Sequence, residues 1–313
     1  MARSRVSARR WWRVVQVIAG LTILVFVARR FWGDWDQIRA ARIDWDIELL
    51  PLILSALLTL AMYALLILAW QLFLKDWGQR LSGYTAARIW VIANLGKYVP
   101  GKVWAIAGLA IMAQREGIAP WAATSSSIIL QALAVGTGVV VVAVSGTELL
   151  AAHYPWIGSA LWALAALSAV GVGLLTSSAV NRTVMRRFLQ RQDLGSPRSR
   201  TVLFGILVNL VAWVAYGCAF WLLAQGTLPA VQLPLTTAIG AFTASYLAGL
   251  LAPFAPGGLF VREGVMLLML QGSIGLVPAG ALAVASRLML TLTEVGLVVP
   301  FLLIPRETPR VEG

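Results

Sequence analysis

The sequence predicts an all-α integral membrane protein in which six spanning helices and two re-entrant Pro-Gly helical hairpins form an inverted-topology repeat. Three observations predict it. Of the 313 residues 59% are hydrophobic and only 12% charged, with a mean hydropathy of +0.81, more apolar than a soluble domain of this length. Six apolar runs are long enough to cross a bilayer. Two further apolar stretches are interrupted at their centres by proline and glycine. The whole chain, 1–313, reads as one transmembrane domain.

The six runs lie near 12–31, 49–74, 120–145, 157–175, 202–223 and 279–304, each close to the ~20 residues that a helical span requires. Arg3, Arg5, Arg9 and Arg10 followed by the apolar run Val14–Val27 resemble the start of a secretory signal. No small-x-small cleavage site follows, and Arg29 and Arg30 come next, so the segment is expected to be a retained signal-anchor helix. Trp11, Trp12 and Trp32 can anchor its ends at the interfaces.

The two interrupted stretches are Thr85–Ala113, broken at Pro100-Gly101, and Thr236–Leu270, broken at Pro253, Pro256, Gly257 and Gly258. The arms of the first hold about 13 and about 11 residues, and at ~1.5 Å rise per residue neither covers a ~30 Å core. Proline removes a backbone donor and glycine permits reversal, so each stretch reads as a hairpin that enters and leaves on one side. A single kinked spanning helix is the alternative, and the charges decide against it. With both stretches re-entrant, the N-terminus, 75–119, 178–200 and the C-terminus share a side that holds nineteen of the 25 Lys and Arg residues. That side is expected to be cytoplasmic, placing both termini in the cytoplasm of an inner-membrane protein. A spanning first stretch would instead export the six arginines of 178–200.

Val99-Pro100-Gly101-Lys102-Val103-Trp104 matches Ala255-Pro256-Gly257-Gly258-Leu259-Phe260, and downstream Gly117-Ile118-Ala119-Pro120 matches Gly275-Leu276-Val277-Pro278. The order span, span, hairpin, span thus occurs in 1–148 and again in 157–305. Three spans per half is odd, so the second half enters from the opposite side and the hairpins open to opposite faces. Secondary transporters use such repeats for alternating access around a midplane site.

The stretch Asn94-Leu95-Gly96-Lys97-Tyr98-Val99-Pro100-Gly101-Lys102-Val103-Trp104 resembles the first signature of the lysylphosphatidylglycerol synthase transmembrane region, or flippase-like domain, family. The second signature, of the form Pro-Gly-Gly-x-x-x-Arg-Glu-Gly, is matched more specifically by Pro253-Phe254-Ala255-Pro256-Gly257-Gly258-Leu259-Phe260-Val261-Arg262-Glu263-Gly264. The resemblance covers essentially the whole chain and implies transfer of amphipathic lipids or lipid-linked saccharides between leaflets. Lys102 and Trp104 stand where the family's commoner form is glycine-rich. About nine residues follow the last span, so no fused synthase or glycosyltransferase domain is expected.

The candidate substrate-binding residues are Asn94, Lys97, Pro100, Gly101, Lys102, Pro256, Gly257, Gly258, Arg262, Glu263, Arg287 and Glu294. A tip inside the membrane exposes the backbone amides of its second half-helix, which suit a lipid phosphate. Lys97 and Lys102 flank the first tip and either attract that phosphate or mark the interface. Arg262 and Glu263 follow the second tip. Charges at such depth face a cavity or a partner; a guanidinium suits a phosphate bidentately, with Glu263 balancing it or moving a proton, and a structural ion pair is the alternative. Arg287 and Glu294 are seven residues apart, on one face of the last span, and line a cavity or pair with other helices, with Glu263 a candidate opposite Arg287.

With one cysteine, Cys218, and one histidine, His153, neither a disulfide framework nor a His/Cys metal centre is available. No metal or cofactor is expected. The net charge of +12 follows from the loop arginines, so it is a topology signal and no nucleic-acid partner is expected. The expected function is a non-enzymatic, flippase-like transporter moving an anionic phospholipid or polyprenyl-phosphate-linked lipid through a midplane site between the hairpins. Its partners are membrane lipids with a phosphate-bearing headgroup, and a separate glycosyltransferase or lipid-modifying enzyme is a candidate. A membrane-embedded transferase, or an accessory subunit in lipid-linked glycan or aminoacyl-lipid metabolism, is the alternative. The tryptophans read as interfacial belts, and Gly136 and Gly138 as small residues that let helices approach closely.

Overall fold

A computed structural model describes residues 46–98, 103–151, 155–177, 197–252 and 255–303, and these residues are helical throughout with short connections. The predicted first span, the tip residues Pro100, Gly101 and Lys102, most of the arginine-rich loop 178–200 and the C-terminal residues from 304 lie outside them. The elements in chain order are α1 Leu49–Asp76, α2 Gly83–Asn94, a 3-10 turn Leu95–Tyr98, α3 Val103–Arg115, α4 Pro120–Ala151, α5 Pro155–Leu174, α6 Ser199–Thr227, α7 Leu235–Leu251, a 3-10 turn Pro256–Gly258, α8 Val261–Ile274 and α9 Leu276–Leu303. Five of them, α1, α4, α5, α6 and α9, are long and apolar enough to cross a membrane. They coincide with the five predicted spans inside the described residues, and the chain is a multi-pass membrane protein.

The outer faces are as apolar as the inside, as lipid allows. Leu50, Leu54 and Leu57 of α1, Leu164 and Leu167 of α5, and Leu288 and Leu292 of α9 are exposed. Hydroxyls on these helices mostly bond to their own backbone one turn back, Thr59 to Ser55, Thr137 to Leu133 and Thr227 to Leu223, which satisfies them where water is scarce.

The frame is the antiparallel pair α1 and α6. The Glu48 amide donates to the Gly226 carbonyl at one end, the Ser55 hydroxyl to the Ala219 carbonyl (2.7 Å) further in, and Asp76 accepts from the Arg198 amide (2.7 Å) at the other end. The helix α4 packs on this frame. Gly240 of α7 meets Ser145 and Gly146 of α4 so closely that a Cβ there would lie 2.6 Å from the Ser145 carbonyl oxygen. Gly136 likewise admits Val172 of α5, and Gly138 admits Trp213 and Leu247, so both glycines act as the close-packing residues their composition predicts.

The four short helices double back in two pairs. In the first pair, α2 and α3 run antiparallel, with Gly96 against Trp104 and Ala105 and Ala93 against Gly108. The backbone approach at Gly96 leaves no room for a side chain, since a Cβ would stand 2.6 Å from the Ala105 nitrogen. The two ends of this pair meet: the Ala119 amide donates to the side chain of Gln79 (3.0 Å), and the Trp77 and Trp121 rings make an edge contact at 5.6 Å. In the second pair, α7 packs against α8 with Gly249 against Gly258 and Arg262. Its start is tied to the far end of α6, where the Trp221 indole donates to the Leu233 carbonyl (2.9 Å).

Each pair owns a core. Trp70, Phe73 and Leu74 of α1 pack with Ile89 of α2, Leu109 of α3 and Leu133 of α4, whereas Phe220 and Leu223 of α6 pack with Phe242 of α7, Leu270 of α8 and Leu282 of α9. The pairs therefore rise from opposite ends of α6, and their tips touch, with Gly257 against the ring of Tyr98. Gly257 needs its φ of +56° as well as this space, so two independent constraints favour glycine there. Gly117 and Gly275, which the internal repeat aligns, both adopt left-handed φ (+80° and +85°) as each pair hands over to the next long helix.

Candidate functional site

The two tips bound a cavity of about 260 Å³. Its wall takes Tyr63 from α1, Trp90 and Asn94 from α2, Lys97 from the first tip, Ser127 and Gln131 from α4, Asn209, Trp213 and Tyr216 from α6, Tyr246 from α7, Gly257 and Gly258 from the second tip, and Arg262 from α8. Tyr63 and Trp213 lie half-way along their 28- and 29-residue helices, so the cavity is at the middle of the candidate spans.

Several of its polar groups differ from those elsewhere. The side chains of Asn94, Gln131, Tyr216 and Tyr246 form no hydrogen bond among the described residues, although most hydroxyls in the surrounding helices are satisfied. Asn209 has one amide hydrogen committed to the Gly205 carbonyl (2.7 Å) and keeps its remaining capacity. Unpaired polar groups cost free energy in an apolar surround, and a cluster of them around a void is the chemistry of a binding site.

The charged candidates divide into a paired set and an exposed one. Glu294 of α9 is buried and accepts from Lys97, from the Tyr63 hydroxyl and from the Tyr98 hydroxyl (2.8 Å). Arg287, two turns earlier on the same face, donates to Glu263 of α8 at 2.6 Å. Thr291 lies between them and approaches the Tyr98 hydroxyl at 3.4 Å. One face of α9 thus fastens the first tip at Glu294 and the second pair at Arg287. The candidate partnership of Glu263 with Arg287 is present. Glu263, Arg287 and Glu294 are not part of the cavity wall, in contrast to a cavity-lining role for the last span.

Arg262 differs. It neighbours Glu263 in sequence, but successive helical residues point about 100° apart, so the two do not pair. The Arg262 guanidinium lies 4.6 Å from the ring centre of Tyr246 and 5.7 Å from that of Phe242. It meets no carboxylate among the described residues and lines the cavity beside Gly257 and Gly258. Pro256 opens the turn that carries these glycines. Of the candidates, the structure brings Asn94, Lys97, Gly257, Gly258 and Arg262 together on one wall; Pro100, Gly101 and Lys102 lie outside the described residues.

Sequence reasoning missed Tyr63, Trp90, Gln131, Asn209, Trp213, Tyr216 and Tyr246. Trp90 and Trp213 are wall residues, a correction to reading the tryptophans as belts. Gln131 and Asn209 did leave a signal, as amides in the middle of apolar runs, where polar side chains are costly unless used.

The model of the family described as the lysylphosphatidylglycerol synthase TM region matches residues 13–295. The chain belongs to this family. No curated protein matches the sequence. Membership of the lysylphosphatidylglycerol synthase TM region family ties the chain to membrane lipids, and both signature stretches that suggested it contribute residues to the cavity wall, Asn94 and Lys97 from the first and Gly257, Gly258 and Arg262 from the second.

Proposed function

We propose that the protein carries the headgroup of a phosphate-bearing lipid between leaflets through the cavity where the two tips meet. The observation that carries this reading is a cavity half-way along the spans, whose wall includes four polar side chains without a hydrogen bond among the described residues, Asn94, Gln131, Tyr216 and Tyr246, and the Arg262 guanidinium, which meets no carboxylate among the described residues. In this reading the two helix pairs are re-entrant hairpins dipping from opposite faces, and the halves 1–148 and 157–305 form an inverted repeat with both termini cytoplasmic. Supporting it are the junction of both ends of the first pair at one end of the frame, the tie of the second pair to the other end, and the matched left-handed glycines Gly117 and Gly275. Alternating access then consists of one hairpin moving against α9 while the other holds.

The tails have a route. An apolar groove of about 510 Å³ between α3, α4 and α5 shares Ile106 and Gln131 with the cavity, so a headgroup at Arg262 can keep its acyl chains in the groove. Arg262 would bind phosphate through its planar fork, with the Gly257-Gly258 backbone close enough to approach the same oxygens. In vesicles holding purified protein, fluorescent phosphatidylglycerol is expected to exchange between leaflets, and Arg262→Gln is expected to slow exchange at least ~10-fold while lowering stability by less than about 1 kcal/mol. Equal exchange by the variant would remove the headgroup from this cavity.

A further inference from the structure

The chain before Asp46 holds the apolar run 12–31, long enough to span a membrane on its own. The family model matches from residue 13, so almost all of the run lies inside the matched domain. In the inverted repeat proposed above, α1 corresponds to α6, α4 to α9, and the run 12–31 to α5.

The lipid-facing residues of the first pair agree. Leu50, Leu54 and Leu57 are exposed in the first half of α1, and Leu203, Leu207 and Val214 in the first half of α6. Those of the second pair do not. Along the 32 residues of α4 the exposed large hydrophobics are Ile128 and Val144 alone, whereas the 28 residues of α9 carry seven, in a stripe that passes through Leu288, Leu292, Val295 and Val299. Steps of three and four residues place these four on one helical face.

Two short-range neighbours account for the cover on α4. Gly240 of α7 meets it at Ser145 and Gly146, and α5 turns back along it with Val172 seated at Gly136. On α9 the place of α7 is taken by α2, whose Tyr84 ring meets that of Phe301 at 5.4 Å. Among the described residues no helix takes the place of α5, and a Cβ on Gly296, beside the stripe, would meet nothing within 4 Å.

We propose that the run 12–31 packs antiparallel along the Leu288–Val299 stripe of α9, as α5 packs along α4, and completes on the second half the cover that α5 gives the first. This placement rests on the inverted repeat. The chain can reach it. Phe301, near the end of α9, meets Tyr84 at the start of α2, just after α1 ends, so α9 and α1 run the same way. Residues 32–45 lead from the run to the start of α1 and extend to at most about 46 Å, enough to bring the run down beside α9. Helices in lipid gain little from burying apolar surface and associate where small residues let backbones approach. Gly296 lies seven residues before the end of α9 and Gly20 eight after the start of the run, so antiparallel packing brings Ala19-Gly20 level with Gly296.

The test is disulfide trapping of the full chain in vesicles, on a Cys218→Ser background. Gly296→Cys, which adds a side chain where there is room for one, is paired with a single cysteine moved through positions 16–25. Protease cleavage in the loop 178–200 then leaves the two fragments joined only where a disulfide formed within one chain. Joined fragments are expected near Gly20 and again three or four positions away, and they separate on reduction. Disulfides only between chains would put a second copy on the stripe, and none at any position would leave it to lipid; either result overturns the proposal. A cysteine at Ser4 that reacts only from the outer face would remove the inverted orientation, and the placement with it. Trapping without lipid exchange keeps the packing and removes translocation, whereas exchange without trapping keeps translocation and removes the packing.

Discussion

Lys97 at the first tip and Arg262 beside the second are both cations at the edge of one cavity, yet only the first has a carboxylate. Lys97 is held by Glu294, which also accepts from two tyrosines on two other elements. Arg262 rests on an aromatic ring, and the carboxylate next to it in sequence is turned away to Arg287. The first tip is therefore fastened by its charge, while the second is fastened through Glu263 and leaves its own charge to the cavity. The difference teaches that two matching Pro-Gly breaks need not do matching chemistry.

The strongest way to break this comparison is to remove Glu294. With Lys97 left unpaired at a largely buried position, Glu294→Ala is expected to lower unfolding stability by about 3–5 kcal/mol, read as a fall in melting temperature in detergent. The double variant Lys97→Met/Glu294→Leu should recover most of that loss. Similar melting of Glu294→Ala and wild type would mean that the first tip is not fastened by charge. Next in size is Gly257→Ala, which combines a left-handed φ with a Cβ 2.9 Å from the Tyr98 ring; about 1–3 kcal/mol is expected. Adding Tyr98→Ala should return the steric part and leave the backbone part.

Smaller again is the second ion pair, whose side chains are about one-fifth exposed on both sides. Replacing Glu263 by Gln is expected to cost about 1.5 kcal/mol, measured by the same melts, and a loss as large as that of Glu294→Ala would erase the distinction between the two fastenings. The smallest stability effect belongs to Arg262→Gln, under about 1 kcal/mol for the ring contact, although lipid exchange should fall most. A variant that melts early and exchanges normally would reverse the roles assigned to the two cations.

Much of the fold was legible because lipid imposes few solutions. Long apolar runs have to be helices there, since every backbone group must be bonded within the segment, and α1, α4, α5, α6 and α9 lie where the runs lie. Pro256-Gly257-Gly258 announced a turn because proline and left-handed glycine cannot continue a helix. The site was legible only in part. Asn94, Lys97 and Arg262 stood beside breaks and lie on the cavity wall; Tyr216 and Tyr246 stood in apolar helices, where tyrosine is unremarkable until two helices turn it toward the same void.

The sequence by itself determined the solvent, the positions of the spans inside the described residues, the two breaks and the presence of charges beside them and in the last span, because each follows from local hydropathy or from backbone chemistry within a few residues. Only the tertiary structure decided which charges cancel. Arg262 and Glu263 are neighbours in the chain and part company because the helix rotates between them, whereas Lys97 and Glu294 are far apart in the chain and meet because α9 runs past the first tip. Pairing across helices depends on which faces pack together, and that is a property of the assembled bundle.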